Sequence, residues 1–288
     1  MKKYLTRFLT MLPALALLDI LMNPAFAADH HAKPWQMGLQ NAATPVMERI
    51  TEFHNMMLYI IFAVAIFVLL LLIYVVIRFN SKANPTPATF SHHSLIEVIW
   101  TVVPIIILIV VAVPSMKLLY YTDRVENPDM TIKAVGYQWY WGYEYPDNGD
   151  ISFTSILVPD DEIDEAKGQK RLLSVDNPLV VPTQTNIQVI VSSVDVIHNF
   201  AVPSFGIKKD AIPGRVNETW INIKEPGTYY GFCSELCGKG HGFMPIEVIA
   251  LPKDEFDAWA AQAGTDYASY HEYKAHLDTE ASVSSSNE

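Results

Sequence analysis

Residues 56–77 run for 22 positions without a charged side chain, and residues 98–116 for another 19. A helix rises about 1.5 Å per residue, so each run is long enough, or nearly so, to cross a hydrocarbon layer roughly 30 Å thick. Core helices of water-soluble proteins rarely stay uncharged for so long, because one of their faces usually meets solvent. Pro104 and Pro114 interrupt the second run, but proline is tolerated in membrane helices. The pattern predicts a transmembrane hairpin over residues 51–117, with helices at about 56–77 and 98–116.

The loop between the runs carries Arg78 and Lys82, with Glu97 at its far end. Basic residues favour the cytoplasmic side, so this loop is expected there and both termini in the periplasm. The N-terminus agrees. MKKYLTR is a basic start, an apolar stretch follows from Phe8 to Leu21, and Ala25-Phe26-Ala27 supplies a small-x-small cleavage pattern. Residues 1–27 therefore read as an export signal cut between Ala27 and Ala28. Residues 28–50 form a short periplasmic lead containing Trp35 and Met37. The expected location is a bacterial inner membrane, crossed twice.

From Leu118 onward there are 26 acidic and 12 basic residues, a net charge of −14. Such a surface repels phosphate, which argues against a nucleic-acid partner. It suits a basic protein partner, although acidity for solubility alone accounts equally well for the count. After Asp129 the texture changes to short segments rich in β-formers. MTIKAVGYQWYWGYEY (130–145) ends at the turn residues Pro146-Asp147-Asn148-Gly149. Residues 159–170 are charged and loop-like, and Ile187, Val189 and Val191 alternate with polar neighbours. PGTYYGFCS and FMPIEVIALP read as further strands. Strands at intervals of roughly ten residues predict an all-β sandwich or barrel over residues 118–252. An amphipathic helix follows, ending at Gly264, and DTEASVSSSNE is too poor in apolar residues to read as anything but a flexible tail; together they fill residues 253–288.

Both cysteines of the chain, Cys233 and Cys237, lie within twelve residues of each other's neighbours His241 and Met244, in the segment CSELCGKGHGFM. Gly238, Gly240 and Gly242 make this a tight loop rather than a helix. A disulfide is the ordinary fate of two cysteines in an exported chain, but it would close a very short loop and leave His241 and Met244 without a role. Structural zinc takes four Cys or His ligands, and methionine is not among them. Thiolate, imidazole and thioether together are soft enough for copper. One cysteine would serve a mononuclear site; two thiolates can bridge a pair of coppers, each of which then needs an imidazole and a weaker axial ligand. Besides His241, the only histidine after the hairpin and ahead of the loop is His198, in DVIHNF. Met244 and a backbone carbonyl complete the set.

CSELCGKGHGFM resembles the binuclear copper (Cu-A) loop of cytochrome c oxidase subunit II, and IEVIWTVVP, GYQWYWGYEY and DVIHNF extend the resemblance along nearly the whole mature chain. It implies a cupredoxin-like domain behind the two-helix hairpin. The copper ligands implied are His198, Cys233, Cys237, His241 and Met244 with the backbone oxygen of Glu235, whose side chain would help hold a magnesium ion shared with subunit I. Trp139 falls at the position where electrons enter from cytochrome c, and Glu144 and Asp195 at acidic positions that face it. Glu97 falls at the mouth of a proton channel in subunit I. The function implied is electron entry into an oxidase whose other subunits reduce oxygen and pump protons. No C-x-x-C-H occurs, so the donor cytochrome is a separate protein. Two rivals stay open: a membrane-anchored copper-delivery protein, which would not need Trp139, Glu235 or Glu97, and an assembly subunit whose cysteines form a disulfide.

Overall fold

A computed structural model describes residues 30–123, 127–149, 151–263 and 269–285; the export-signal reading of residues 1–27 lies outside them. Helix α1 spans Pro45–Arg78 and helix α2 spans Ser94–Asp123. Thr44 starts α1. Its extended backbone breaks the preceding chain, its hydroxyl oxygen accepts from the Met47 N–H at 3.1 Å, and Pro45 follows at the first helical position. Both helices outrun their apolar stretches, so α1 rises clear of the membrane before it reaches the domain. The only buried residues of α1 are Val46 and Met47, at its start, and α2 has none. The apolar side chains from Leu58 to Ile77 and from Val98 to Val113 face outward, as they must when lipid or partner helices are their solvent.

Ten strands follow. One sheet has the order β3-β2-β1-β5-β8, formed by Ile151–Ser155, Tyr140–Tyr145, Met130–Tyr137, Ile187–Ser193 and Asn217–Ile221. The other has the order β4-β10-β9-β6-β7, formed by Leu179–Pro182, Pro245–Leu251, Gly227–Cys233, His198–Val202 and Ile207–Ala211. β1 and β5 alternate strictly between buried and half-buried positions, which puts Ile132, Ala134, Ile187, Val189 and Val191 into the space between the sheets. β1 runs parallel to β5 and β4 parallel to β10, while the remaining pairs are antiparallel. This is the cupredoxin-like sandwich the sequence implies.

Within 130–145, Gln138 and Trp139 form a tight turn between β1 and β2, with Tyr137 paired to Tyr140. The rings of that pair stack with centroids 4.6 Å apart. At the far end α3 covers Lys253–Gln262 and packs Phe256 and Trp259 into the core, but a further helix, α4, runs from Tyr270 to Ser285 where the sequence suggested a flexible tail. Tyr273 is the reason it docks, because that ring is buried among the core residues and Tyr270 packs beside it.

Two antiparallel strand pairs prepare the site. β9 and β10 pair antiparallel with Phe232 opposite Pro245, so the loop joining them leaves and re-enters the sheet at neighbouring points, Cys233 and Met244. β6 pairs with β9, placing Phe200 opposite Cys233 and carrying His198, the first residue of β6, to the same end of the sheet. The approach is close: a Cβ on Gly231 would lie 2.2 Å from the Ala201 carbonyl oxygen, so only glycine fits there.

Candidate metal centre

Five donor side chains converge at this sheet end. Cys233 Sγ lies 3.8 Å from Cys237 Sγ, and both cysteines are free. Each sulfur has its own imidazole: His198 Nδ1 is 3.9 Å from Cys233, and His241 Nδ1 is 3.6 Å from Cys237. Each also has a weak donor. The Cys233 thiol donates to the Glu235 carbonyl oxygen at 3.3 Å, and Met244 Sδ is 3.6 Å from Cys237 Sγ. The pattern is nitrogen–sulfur–sulfur–nitrogen with one weak donor at each end. The shortest contacts divide between the two sulfurs, with His198 and the Glu235 carbonyl nearest Cys233 and His241 and Met244 nearest Cys237, while His198 also comes within 4.8 Å of Cys237. The donors' chemistry and their pairwise division fit two copper ions bridged by thiolates. His198, Cys233, Cys237 and Met244 are buried, and His241 is half-buried. A cavity of about 340 Å³ beside them, bordered by Leu172, Phe232, His241 and Pro245, gives metal a way in.

The surroundings hold the ligands in place before any metal arrives. His198 Nε2 donates to Asp195 Oδ1 at 2.9 Å, which fixes the proton on that nitrogen and leaves Nδ1 turned to Cys233. The His198 ring lies flush on Gly136, where an added Cβ would come within 2.8 Å of it. Asp195 also accepts the Gln138 N–H at 2.7 Å and the Val196 N–H at 2.6 Å. Burial pushes the Asp195 carboxyl up, but the hydrogen bonds from His198, Val196 and Gln138 outweigh it and hold the group below the usual carboxylate range. Burial first, and then neighbouring Cys233, push the metal-free Cys237 thiol up to about 12. Copper binding therefore has to displace protons from the pair.

Trp139 touches the loop directly. Its indole N–H donates to the Cys237 carbonyl at 3.2 Å, and the Gln138 side-chain amide donates to the same oxygen at 2.8 Å. The indole lies on Gly240, where a Cβ would sit 2.5 Å from it. Trp141, two residues past the turn, is buried and donates to the Met244 carbonyl at 3.3 Å.

The remaining expected residues lie apart from this cluster. Glu144 forms a cross-strand ion pair with Lys133 at 2.8 Å. It is near enough to Asp195 that both act on Tyr137, whose phenol is raised by burial first, then by Tyr140, Glu144 and Asp195. The Glu235 carboxylate is exposed, although its carbonyl faces Cys233. Glu97 sits in the first turn of α2, about 40 Å of helix from Asp123, and accepts the His93 N–H at 3.2 Å. Sequence reasoning did not single out Gln138, Gly136 or Trp141. Gln138 stood beside the tryptophan that was noticed, but nothing local marks an amide that will reach a loop about a hundred residues away.

A membrane hairpin bearing a cupredoxin-like sandwich, with paired cysteines and histidines at one sheet end, defines a membrane-tethered protein with a Cu-A-like site. A family model described as cytochrome c oxidase subunit II, periplasmic domain, matches residues 130–251, and one described as the transmembrane domain of the same subunit matches residues 32–118. A probable cytochrome c oxidase subunit 2 of Rickettsia bellii is 49% identical over 247 residues, covering 86% of this chain and 91% of the relative. Cytochrome c oxidase subunit 2 of Phytophthora megasperma is 46% identical over 243 residues, 83% and 91% of the two chains. The crystal structure of the periplasmic domain of subunit II of cytochrome oxidase (CoxB) of Bradyrhizobium japonicum is 51% identical and covers 49% of this chain and 96% of its own, with a TM-score of 0.45. The chain belongs to the cytochrome c oxidase subunit II family.

Proposed function

We propose that this chain is the electron-entry subunit of a cytochrome c oxidase: it accepts electrons from cytochrome c and passes them to the haem of subunit I, where oxygen is reduced to water and protons are pumped. The observation that carries the reading is the division of the donors into two sets, His198–Cys233–Glu235 carbonyl and His241–Cys237–Met244, joined through the sulfurs. Bound there, a copper pair would supply one-electron exchange shared over two metals, with little change of geometry. The protein's part is to hold the ligands in advance. Asp195 orients His198, the Gly136 and Gly240 surfaces seat the His198 and Trp139 rings, and Trp141 fixes the backbone at Met244.

Trp139 is the entry point in this account, because its ring is partly exposed while its N–H bonds the Cys237 carbonyl. Cytochrome c, basic at its rim, docks on the acidic face that includes Glu144 and the exposed part of Asp195. The Glu235 carboxylate supplies one oxygen to a magnesium ion whose other ligands come from subunit I. Glu97, at the opposite end of the hairpin, opens the proton channel of subunit I from the cytoplasmic side. The hairpin lies in the bacterial inner membrane with the loop of Arg78 and Lys82 in the cytoplasm and the β-domain in the periplasm.

The test is stopped-flow oxidation of reduced cytochrome c by the assembled oxidase carrying Trp139→Phe. The expected result is at least about a tenfold fall in the entry rate, equivalent to ~1.4 kcal/mol of barrier, with copper content unchanged. An unchanged rate would remove Trp139 from the route.

A further inference from the structure

Where the hairpin leaves the membrane on the domain side, α1 and α2 line an open cavity of about 280 Å³. Its floor is apolar, made by Phe53 and Met56 of α1 and Pro114 and Leu118 of α2. Its rim is charged, made by Arg49, Glu52 and Lys117. Lys117 directly follows the uncharged run that ends at Met116, and Arg49 lies seven residues, about 10 Å, above Met56. The headgroup layer extends about 5–7 Å beyond the hydrocarbon on each side, so the long side chains of the rim reach into it.

The rim carries two cations and one carboxylate. Neighbouring acids are committed elsewhere: Glu48 pairs with Lys224, and Asp123 with Lys209. No ion pair among the described residues includes Arg49 or Lys117. Arg49 is nevertheless held still. Its guanidinium lies 3.4 Å from the centre of the Tyr121 ring. Tyr121 is in turn fixed by Trp220, which donates its indole N–H to the Tyr121 carbonyl at 3.0 Å and meets the ring edge-on. A cation ordered in advance, in a rim where two cations outnumber one carboxylate, is prepared for an anion from outside.

We propose that this cavity binds an anionic glycerophospholipid. Its phosphodiester sits between Arg49 and Lys117, its glycerol end rests on the apolar floor, and its acyl chains run down the outward-facing apolar surface of α1 and α2. The cavity is large enough for a headgroup and too small for the chains, which the bilayer itself accommodates. The net charge of the rim is +1, matching one phosphodiester. The apolar floor distinguishes this ligand from free phosphate, which would gain nothing from Phe53 or Met56. The site is remote from the ligand loop and independent of the electron-transfer reading.

The experiment is electron paramagnetic resonance of spin-labelled lipids with the full chain, together with its partner subunits, in phosphatidylcholine membranes. Spin-labelled phosphatidylglycerol is compared with spin-labelled phosphatidylcholine. The expected result is a motionally restricted fraction with about fivefold selectivity for phosphatidylglycerol, the preference of roughly one surface cation. Arg49→Gln with Lys117→Gln should abolish the selectivity, Arg49→Lys with Lys117→Arg should keep it, and soluble glycerol phosphate should not compete. Equal restriction of the two lipids, or selectivity that survives the glutamine pair, overturns the proposal. So does competition by glycerol phosphate, which would make the site one for a soluble anion. Loss of a partner subunit in the glutamine pair, with lipid selectivity unchanged, would assign the cations to that partner instead.

Discussion

The hairpin and the sandwich solve opposite problems with the same apolar residues. In α1 and α2, leucine, isoleucine and valine point outward for most of two helices, and hardly anything is buried by the chain itself. In the sandwich the same residue types point inward on alternate positions, and Trp141, Tyr143, Tyr145 and Tyr229 are fully enclosed. The hairpin therefore depends on surroundings outside this chain for its packing, whereas the sandwich carries its own core. The metal donors belong to the second kind of region, where a fixed backbone can hold ligands at set distances. The lipid-like cavity belongs to the first.

One substitution to alanine in each region should separate the two most sharply. Gly231→Ala pushes a Cβ against the Ala201 carbonyl and should lower the stability of the sandwich by about 3 kcal/mol. Leu70→Ala, on the outward face of α1, should leave the thermal unfolding of the sandwich unchanged. If the two variants shifted the unfolding temperature equally, the division of labour drawn here would be wrong.

The second contrast is chemical. Glu247 lies buried on β10, whereas the two hairpin helices bury no carboxyl: burial pushes it up to about 7, against hydrogen bonds from the Val175 N–H and Ser174. A carboxyl raised in the folded state favours folding below its unfolded value, and that contribution disappears as pH rises through about 7. Wild type should therefore lose stability between pH 5 and pH 8. Glu247→Gln should lose less, with the two proteins diverging by on the order of 3 kcal/mol. Calorimetry at the two pH values measures this, and parallel curves would show that Glu247 keeps an ordinary acidity.

The smallest expected effect lies at the joint between the regions. Thr44 caps α1 and donates its hydroxyl to the Phe205 carbonyl of the sandwich at 2.7 Å. Thr44→Ala should cost about 1–2 kcal/mol, and hydrogen exchange should show it as faster opening of the first turn of α1. An unchanged exchange pattern would make the joint looser than the hydrogen bonds suggest.

The same contrast explains what could be read from the sequence. The hairpin is a statement about composition over twenty residues, and the ligand loop is a cluster of rare residue types within twelve; both signals are local. Strand alternation in Ile187–Ser193 was visible for the same reason. The turn at Gln138–Trp139 was not, because tyrosines and tryptophans fill both of its strands without a glycine or proline between them. Helix α4 was hidden because its polar composition outweighed Tyr270 and Tyr273, the rings that dock it. Asp195 reads from sequence as a surface acid, and only the fold shows it bonded to His198 and Gln138. The Gln138–Asp195 bond joins residues 57 positions apart, and the docking of Tyr273 needs the assembled core; spacing alone encodes neither.

The central claim is that Cys233 and Cys237 join two donor sets into one centre. Electron paramagnetic resonance of the copper-loaded full chain, with copper counted per chain, tests it directly. The account predicts two coppers per chain and one unpaired electron coupled equally to both nuclei. One copper per chain, with the electron localised on a single nucleus, would contradict it.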